Sequence, residues 1–217
     1  MVGLFDSGSG GLNTVRYIKE LSKKVDLVYL IDRERAPYGI KTEKELVEIT
    51  EDNIERLADM GAEKVLIACC TASTVYHLLN DRYKALSIPI IDAVAKEAKN
   101  ATRLERIGVI ATSRTVRSHA FANALPRYEV TELATPELVT LIDKGLSDSN
   151  IDAGAEQYIE DMIRPVLEVK VDTLILGCTH FPALKGTVAR IASKYGVKHV
   201  IDSARIGAKM LISAAKA

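Results

Sequence analysis

Val65-Leu66-Ile67-Ala68-Cys69-Cys70-Thr71-Ala72-Ser73 and Thr173-Leu174-Ile175-Leu176-Gly177-Cys178-Thr179-His180-Phe181-Pro182 share one pattern in the two halves of the chain. Each is a short apolar run that ends in a small residue, a cysteine and a threonine. A run of four or five β-favouring apolar residues reads as a strand buried on both faces, the kind found in parallel sheets. In an open α/β sheet, ligands bind outside the carboxyl ends of the strands. Both cysteines therefore fall where a ligand crevice is expected.

Working outward, β-type runs alternate with helical patterns. Strands are expected at Val2–Phe5, Leu27–Ile31, Lys64–Ala68, Ile88–Ile91, Ile107–Ile110, Glu129–Leu133, Thr173–Leu176 and Lys198–Ile201. Helices are expected over Asn13–Leu21 and over Thr42–Met60, where Leu46, Ile49, Ile54 and Leu57 recur on one face and Gly61 supplies the stop. Three short matches suggest an internal duplication. Val2-Gly3-Leu4 aligns with Ile107-Gly108-Val109 (107 − 2 = 105), Cys69 with Cys178 (178 − 69 = 109), and Asp92 with Asp202 (202 − 92 = 110). The expected fold class is α/β: two pseudo-symmetric lobes with mostly parallel sheets flanked by helices, and an active site between the lobes. The domain boundaries expected are 1-93 plus 204-217 for the lobe of Asp6 and Cys69, and 94-203 for the lobe of Cys178 and His180.

Composition narrows the classes. Lysine plus arginine number 29 and aspartate plus glutamate 29, so no global charge draws the chain to nucleic acid or an anionic membrane. No apolar run is long enough to span a bilayer. The start at Met1-Val2-Gly3-Leu4-Phe5 enters a strand with no charged region and cleavage site ahead of it, from which no signal peptide is expected. Three cysteines without framework spacing suit a reducing, cytoplasmic setting.

The turn Asp6-Ser7-Gly8-Ser9-Gly10-Gly11 lies between a strand and a helix. Glycines there allow close backbone approach, and the amides of a helix start bind anions. A dinucleotide fingerprint is one reading, with Asp32 as the ribose-binding acid, but Asn13 holds the third glycine position. In the other reading Asp6 binds an ammonium group or orients a thiol. Cys69 and Cys178 are either small buried hydrophobes, metal ligands or reactive thiols. No cysteine pair has zinc-site spacing, so no metal is expected. A helix starting near Thr71 should lower the Cys69 thiol pKa, and His180, two residues past Cys178, should help set that thiol's ionisation. Such thiols serve as nucleophiles or general bases. His77, His119 and His199 have no comparable setting. Pro37-Tyr38-Gly39 reads as a turn whose backbone and Tyr38 hydroxyl reach the same crevice.

These stretches together resemble the glutamate racemases of the aspartate/glutamate racemase superfamily. The resemblance rests on Phe5-Asp6-Ser7-Gly8-Ser9-Gly10-Gly11-Leu12, Ala36-Pro37-Tyr38-Gly39, Ala68-Cys69-Cys70-Thr71-Ala72-Ser73, Gly108 through Val116, Gly177-Cys178-Thr179-His180-Phe181-Pro182 and Ile201-Asp202-Ser203-Ala204, in order along nearly the whole chain. Three positions depart from the family pattern: Cys70 stands for an asparagine, Thr135 for a cysteine and Asp143 for a glutamate. The resemblance implies cofactor-independent interconversion of L- and D-glutamate, supplying D-glutamate for peptidoglycan. It makes Cys69 and Cys178 the proton-transfer thiols, assisted by Asp6 and His180. Ser7, Pro37, Tyr38, Gly39, Cys70, Thr71, Thr112, Thr115 and Thr179 would bind substrate. Alternatives that stay open are an aspartate or broad-specificity racemase and a non-catalytic amino-acid-binding or regulatory relative. The implied partner is a small amino acid, with no nucleic acid and no membrane; a homodimer is left open.

Overall fold

The computed structural model describes residues 1–22 and 24–216. In chain order the elements are β1 (Val2–Asp6), α1 (Gly11–Leu21), β2 (Leu27–Ile31), α2 (Glu43–Asp59), β3 (Lys64–Ile67), α3 (Cys70–Ser73), α4 (Asp81–Leu86), β4 (Ser87–Pro89), α5 (Ile90–Ala101), β5 (Arg106–Ala111), α6 (Ser113–Arg117), α7 (Ala120–Ala124), β6 (Glu129–Ala134), α8 (Pro136–Asp143), α9 (Ala153–Glu168), β7 (Thr173–Gly177), α10 (Lys185–Lys194), β8 (His199–Asp202) and α11 (Ser203–Ala214). Short 3-10 turns lie at Tyr38–Ile40, Tyr76–Leu78 and Phe181–Leu184. Among the described residues no helix is long and apolar enough to cross a membrane.

The chain divides into two compact units, Met1–Ala93 with Ala204–Ala217, and Val94–Ser203. Each contains one four-stranded sheet, in the orders β2-β1-β3-β4 and β6-β5-β7-β8, and every pairing is parallel. Parallel neighbours require crossovers, and helices supply them, so the central strands β1, β3, β5 and β7 are almost entirely buried.

Local sequence explains the clearest elements. In α2, Thr42 and Glu45 form a capping box in which each side chain bonds the other's backbone amide. Leu46, Ile49, Ile54 and Leu57 give it a buried stripe, and Gly61 ends it in the left-handed region at φ +93°. The glycines of the first repeat match also have a packing reason. A methyl group on Gly3 would sit 2.9 Å from Ala62 Cβ, and one on Gly108 3.0 Å from Val166 Cγ2. The missing side chain leaves room in the first unit for Ala62, in the turn between α2 and β3, and in the second for Val166 of the crossover helix α9.

Register tests the duplication strand by strand. Gly3 pairs with Val65 and Gly108 with Leu174, which preserves the offsets of 105 and 109 (108 − 3; 174 − 65). The third match fails. Leu66 pairs with Ile88 and Ile175 with Ile201, an offset of 113 (201 − 88), so Asp92 is not the structural counterpart of Asp202. Asp202 ends β8, whereas Asp92 lies in the first turn of α5. The expected strand Ile88–Ile91 is correspondingly corrected to Ser87–Pro89. Proline interrupts a ladder, and the Ile90 amide donates instead to the Ser73 hydroxyl at 3.2 Å, which starts α5 early.

In the second unit, Asp172 fastens the entry to β5. It is buried, and its carboxylate accepts from the Thr102 hydroxyl (2.6 Å) and from the amides of Arg103 (2.6 Å) and Leu104 (2.8 Å). Burial pushes its pKa up, but these donors hold it below the ordinary value of 3.8. A depressed folded pKa means that its contribution is present above 3.8 and lost as pH falls through the lower folded value. Replacing Asp172 with alanine is expected to cost about 1–3 kcal/mol near pH 7, because the buried Thr102 hydroxyl and two partly buried amides lose their acceptor. Urea titration should give this difference at neutral pH and a smaller one at pH 3. An equal loss at both pH values would contradict the assignment.

Candidate active site

Both sheets reverse their strand order beside the first strand of the unit, between β1 and β3 and between β5 and β7. Loops leaving these neighbours at their carboxyl ends part in opposite directions and open a crevice. Phe5 pairs with Ile67 and Ala111 with Gly177. Carrying each register forward sets Ser7 opposite Cys69 and Thr112 opposite Cys178. The cysteines thus occupy equivalent stations one or two residues past a buried strand.

In the first unit, Ser7 Oγ lies 3.7 Å from Cys69 Sγ. Asp6 accepts from the Gly8 amide at 3.0 Å, which curls the turn, and Tyr29 donates to the Gly8 carbonyl at 3.2 Å. Gly11 permits this closeness: a Cβ there would meet the Tyr29 hydroxyl oxygen at 2.5 Å and Asp6 Cβ at 2.7 Å. Tyr29 is a neighbour of the site that sequence reasoning missed; its only signal was an aromatic in an otherwise aliphatic strand. Burial, followed by the nearby Asp6 charge, raises its pKa.

Cys69 is buried, and its thiol pKa is pushed up to about 11. Burial is the largest cause and the Asp6 carboxylate the second, while the Ala72 amide, the Ser7 hydroxyl and the Thr71 amide pull it down. This corrects the expectation of a lowered pKa. The helix start does present its amides to the sulfur, but α3 is only four residues long and the dry, anionic surroundings outweigh it. Cys70 and Thr71, which open α3, are buried as well.

The Pro37-Tyr38-Gly39 turn is held from behind. Asp32 Oδ2 accepts from Tyr38 Oη (2.5 Å), Arg35 Nε (2.7 Å) and Asn53 Nδ2 (3.2 Å). Arg35 also donates to Asp52 and Asn53, each at 2.7 Å. Burial would raise the Asp32 pKa; Tyr38, Asn53 and Arg35 together lower it. The Tyr38 hydroxyl is therefore committed to Asp32 inside the protein, leaving the exposed Pro37 and the partly exposed Gly39 as the accessible part of the turn. Asp32 is likewise engaged on its own unit and does not present itself as a ribose acceptor.

In the second unit, Cys178 Sγ lies 3.6 Å from His180 Nδ1, and His180 Nε2 lies 3.4 Å from Asp143 Oδ1. A carboxylate at Nε2 favours the tautomer with its proton there, which leaves the Nδ1 lone pair toward the thiol. Cys178 and His180 are buried, while the Asp143 side chain is half exposed at 52%. Thr112 caps α6 by accepting from the Thr115 amide at 3.3 Å, and the two hydroxyls are 3.0 Å apart. Thr179 follows Cys178 in the turn and is buried.

The two cysteine stations are equivalent but their helpers are not. At the offsets of the paired strands, Asp6 corresponds to Ala111 (6 + 105) and Thr71 to His180 (71 + 109). One unit provides a carboxylate from its first strand; the other provides an imidazole from the turn after its third.

Residues 11–211 match the family described as Asp/Glu/Hydantoin racemase. The chain is 38% identical over 216 residues to the glutamate racemase of Aquifex aeolicus, covering 97% of this chain and 81% of that one. Its fold matches the crystal structure of a glutamate racemase isoform from Bacillus anthracis with TM-score 0.87 and 29% identity, over 100% of this chain and 81% of the other. It matches the glutamate racemase of Francisella tularensis, crystallised with D-glutamate, with TM-score 0.85 and 30% identity, over 98% and 80%.

A thiol with a pKa of about 11 has roughly a hundredth of the thiolate of an ordinary cysteine near neutral pH. Alkylation of Cys69 by iodoacetamide, followed by peptide mass spectrometry, is expected to speed up about tenfold per pH unit from pH 7 to 10. A rate that levels off near pH 9 would show that the thiol titrates normally.

Proposed function

The chain belongs to the Asp/Glu/hydantoin racemase family and is an amino-acid racemase, an isomerase, and from this premise we propose that it interconverts L- and D-glutamate by two-base proton transfer between Cys69 and Cys178. The observation that carries the proposal is the pair of buried thiols at equivalent strand ends of two like sheets, each with its own polar helper. The substrate comes from the names of the relatives, which are glutamate racemases.

In the direction from D to L, the Cys69 thiolate removes the α-proton. The electron pair of the Cα–H bond moves into the α-carboxylate, and the Cys178 thiol donates a proton to the opposite face of Cα. In the reverse direction Cys178 is the base and Cys69 the acid. Hydrogen-bond donors aimed at the carboxylate matter most, because charge accumulates there as the carbanion forms. Ser7, Cys70, Thr71, Thr112, Thr115, Thr179 and the backbone of the Pro37-Tyr38-Gly39 turn are the proposed substrate-binding groups. The raised pKa of Cys69 makes it the acid in the free protein. Its thiolate becomes accessible when the cationic α-ammonium group of the substrate arrives, with Asp6 beside the sulfur to take its proton. His180, oriented by Asp143, does the same for Cys178.

This chemistry needs only thiols and hydrogen bonds, so the proposal includes neither metal nor organic cofactor. By analogy with the family, the product D-glutamate supplies peptidoglycan synthesis in the cytoplasm. Aspartate remains the second candidate substrate because Cys70 departs from the family asparagine.

Incubation of L-glutamate with the protein in D₂O containing EDTA should wash deuterium into Cα, and chiral chromatography should reveal D-glutamate. Cys69→Ala and Cys178→Ala should each abolish racemisation with unchanged circular dichroism, since neither thiol reaches the other face. Turnover near wild type in either variant would refute the two-base scheme. Dependence on a chelatable metal would refute the cofactor-free one.

The Cys70 position yields a separate test. A thiol is a weak donor, whereas asparagine offers two amide donors and a strong acceptor. A hydrogen bond to a charged group is worth roughly 1.5–3 kcal/mol, so Cys70→Asn is expected to lower KM for glutamate about tenfold with little change in kcat. An unchanged or higher KM for glutamate in the variant, with weaker binding of aspartate than in wild type, would mark Cys70 as suited to the shorter substrate.

A further inference from the structure

Helix α10 begins just after the turn that carries His180, and its own N-cap residue, Leu184, has no side chain able to cap it. The cap comes from elsewhere in the chain. Asp148 Oδ2 accepts from the Gly186 amide at 2.7 Å and Asp148 Oδ1 from the Thr187 amide at 2.8 Å, while the Asp148 amide donates to the Ala183 carbonyl at 2.9 Å. A carboxylate facing the first amides of a helix satisfies orphan donors and complements the helix dipole. One residue thus grips both the 3-10 turn Phe181–Leu184 and the head of α10.

Asp148 sits five residues after Asp143, and the segment between them is internally braced. The Gly145 amide closes on the Ile142 carbonyl at 2.9 Å and the Leu146 amide on the Leu141 carbonyl at 3.0 Å, so the end of α8 is wound shut. Asn150 then accepts from the Ser147 amide at 2.8 Å and donates to the Gly145 carbonyl at 2.9 Å. This bracket carries Asp143 at one end and is fastened by Asp148 at the other. Asp143 reaches His180 from a half-exposed position at 3.4 Å, with no burial to hold it there.

We propose that Asp148 is a positioning residue for Cys178, acting through Asp143 and His180: by clamping the Asp143-bearing segment to the turn after His180, it keeps the imidazole lone pair on the thiol. The proposal rests on the reading of Cys178 as a proton-transfer group. The hydrogen bonds that form the bracket all lie within the unit that carries Cys178, whereas Cys69 belongs to the other unit.

That asymmetry supplies the test. Cys178 and Cys69 fall in different peptides of one polypeptide, so their alkylation by iodoacetamide at pH 7.5 can be timed together by mass spectrometry in wild type and Asp148→Ala. The expected result is a Cys178 rate about fivefold lower and a Cys69 rate unchanged, since a misaligned His180 no longer draws the proton from the thiol. Mere loosening of the turn would expose the thiol and raise the Cys178 rate, so a wild-type or faster rate overturns the proposal. In racemisation, Asp148→Ala should lose about tenfold in kcat with KM within twofold. Asp143→Ala/Asp148→Ala should be no slower than Asp143→Ala alone, because both act along one path; additive losses overturn the proposal. Asp148→Asn, which retains an acceptor for one of the two amides, should fall between wild type and Asp148→Ala, and it replaces the alanine variant if that one does not fold. Should wild type fail to racemise glutamate, the function reading falls, while the alkylation contrast still decides the role of Asp148.

Discussion

A buried parallel strand must stop, and the place where it stops controls everything chemical in this protein. The central strands β1, β3, β5 and β7 are buried on both faces and pair with a neighbour on each side. At its carboxyl end the chain turns into a helix, leaving amides without partners. Cys69 and Cys178 stand at that transition in their respective units. A sulfur there is far enough inside to be desolvated and close enough to free amides, hydroxyls or an imidazole to be tuned by them. The opposed influences on Cys69 show how narrow the balance is. Burial and Asp6 disfavour its thiolate, and two amides and a hydroxyl favour it.

The two units solve the same problem with different residues. Their sheets share strand order and, across the central pair, register. At matching strand positions Gly3 admits the turn after α2 and Gly108 admits the crossover helix α9. Yet the group that attends the thiol is a strand-end carboxylate in one and a turn histidine in the other. Under the proposed two-base scheme the two thiols meet opposite faces of one Cα, and within a chiral protein those faces have different surroundings, so the helpers need not be alike. Each helper is in turn set by a second layer: Tyr29 on the Asp6 turn, and Asp143 with Asp148 on the His180 turn.

The Asp32 cluster illustrates why type and spacing alone mislead about individual polar residues. A strand-end aspartate 26 residues after Asp6 (32 − 6) fits a ribose acceptor as a pattern. In the folded unit it accepts from three side chains, two of them from beyond the next turn and from α2. The same cluster takes the Tyr38 hydroxyl out of the crevice. Neither outcome has a local signal, because Asn53 reaches Tyr38 from 15 residues away.

The sequence by itself determined the α/β class, the positions of the strands other than β4 to within a residue, and the two cysteine stations, because apolar runs and glycine stops are local signals whose physics acts within a few residues. It also carried the racemase resemblance, since motif order survives changes elsewhere in the chain. Only the tertiary structure decided that β4 ends at Pro89, that Asp92 and Asp202 are not counterparts, and that the Cys69 thiol is raised. Only it brought Asp143 to His180 and Asp148 to the head of α10. These facts depend on register, desolvation and contacts between residues tens of positions apart. Such quantities are sums over the neighbours that packing supplies, and the linear order of residues does not contain them.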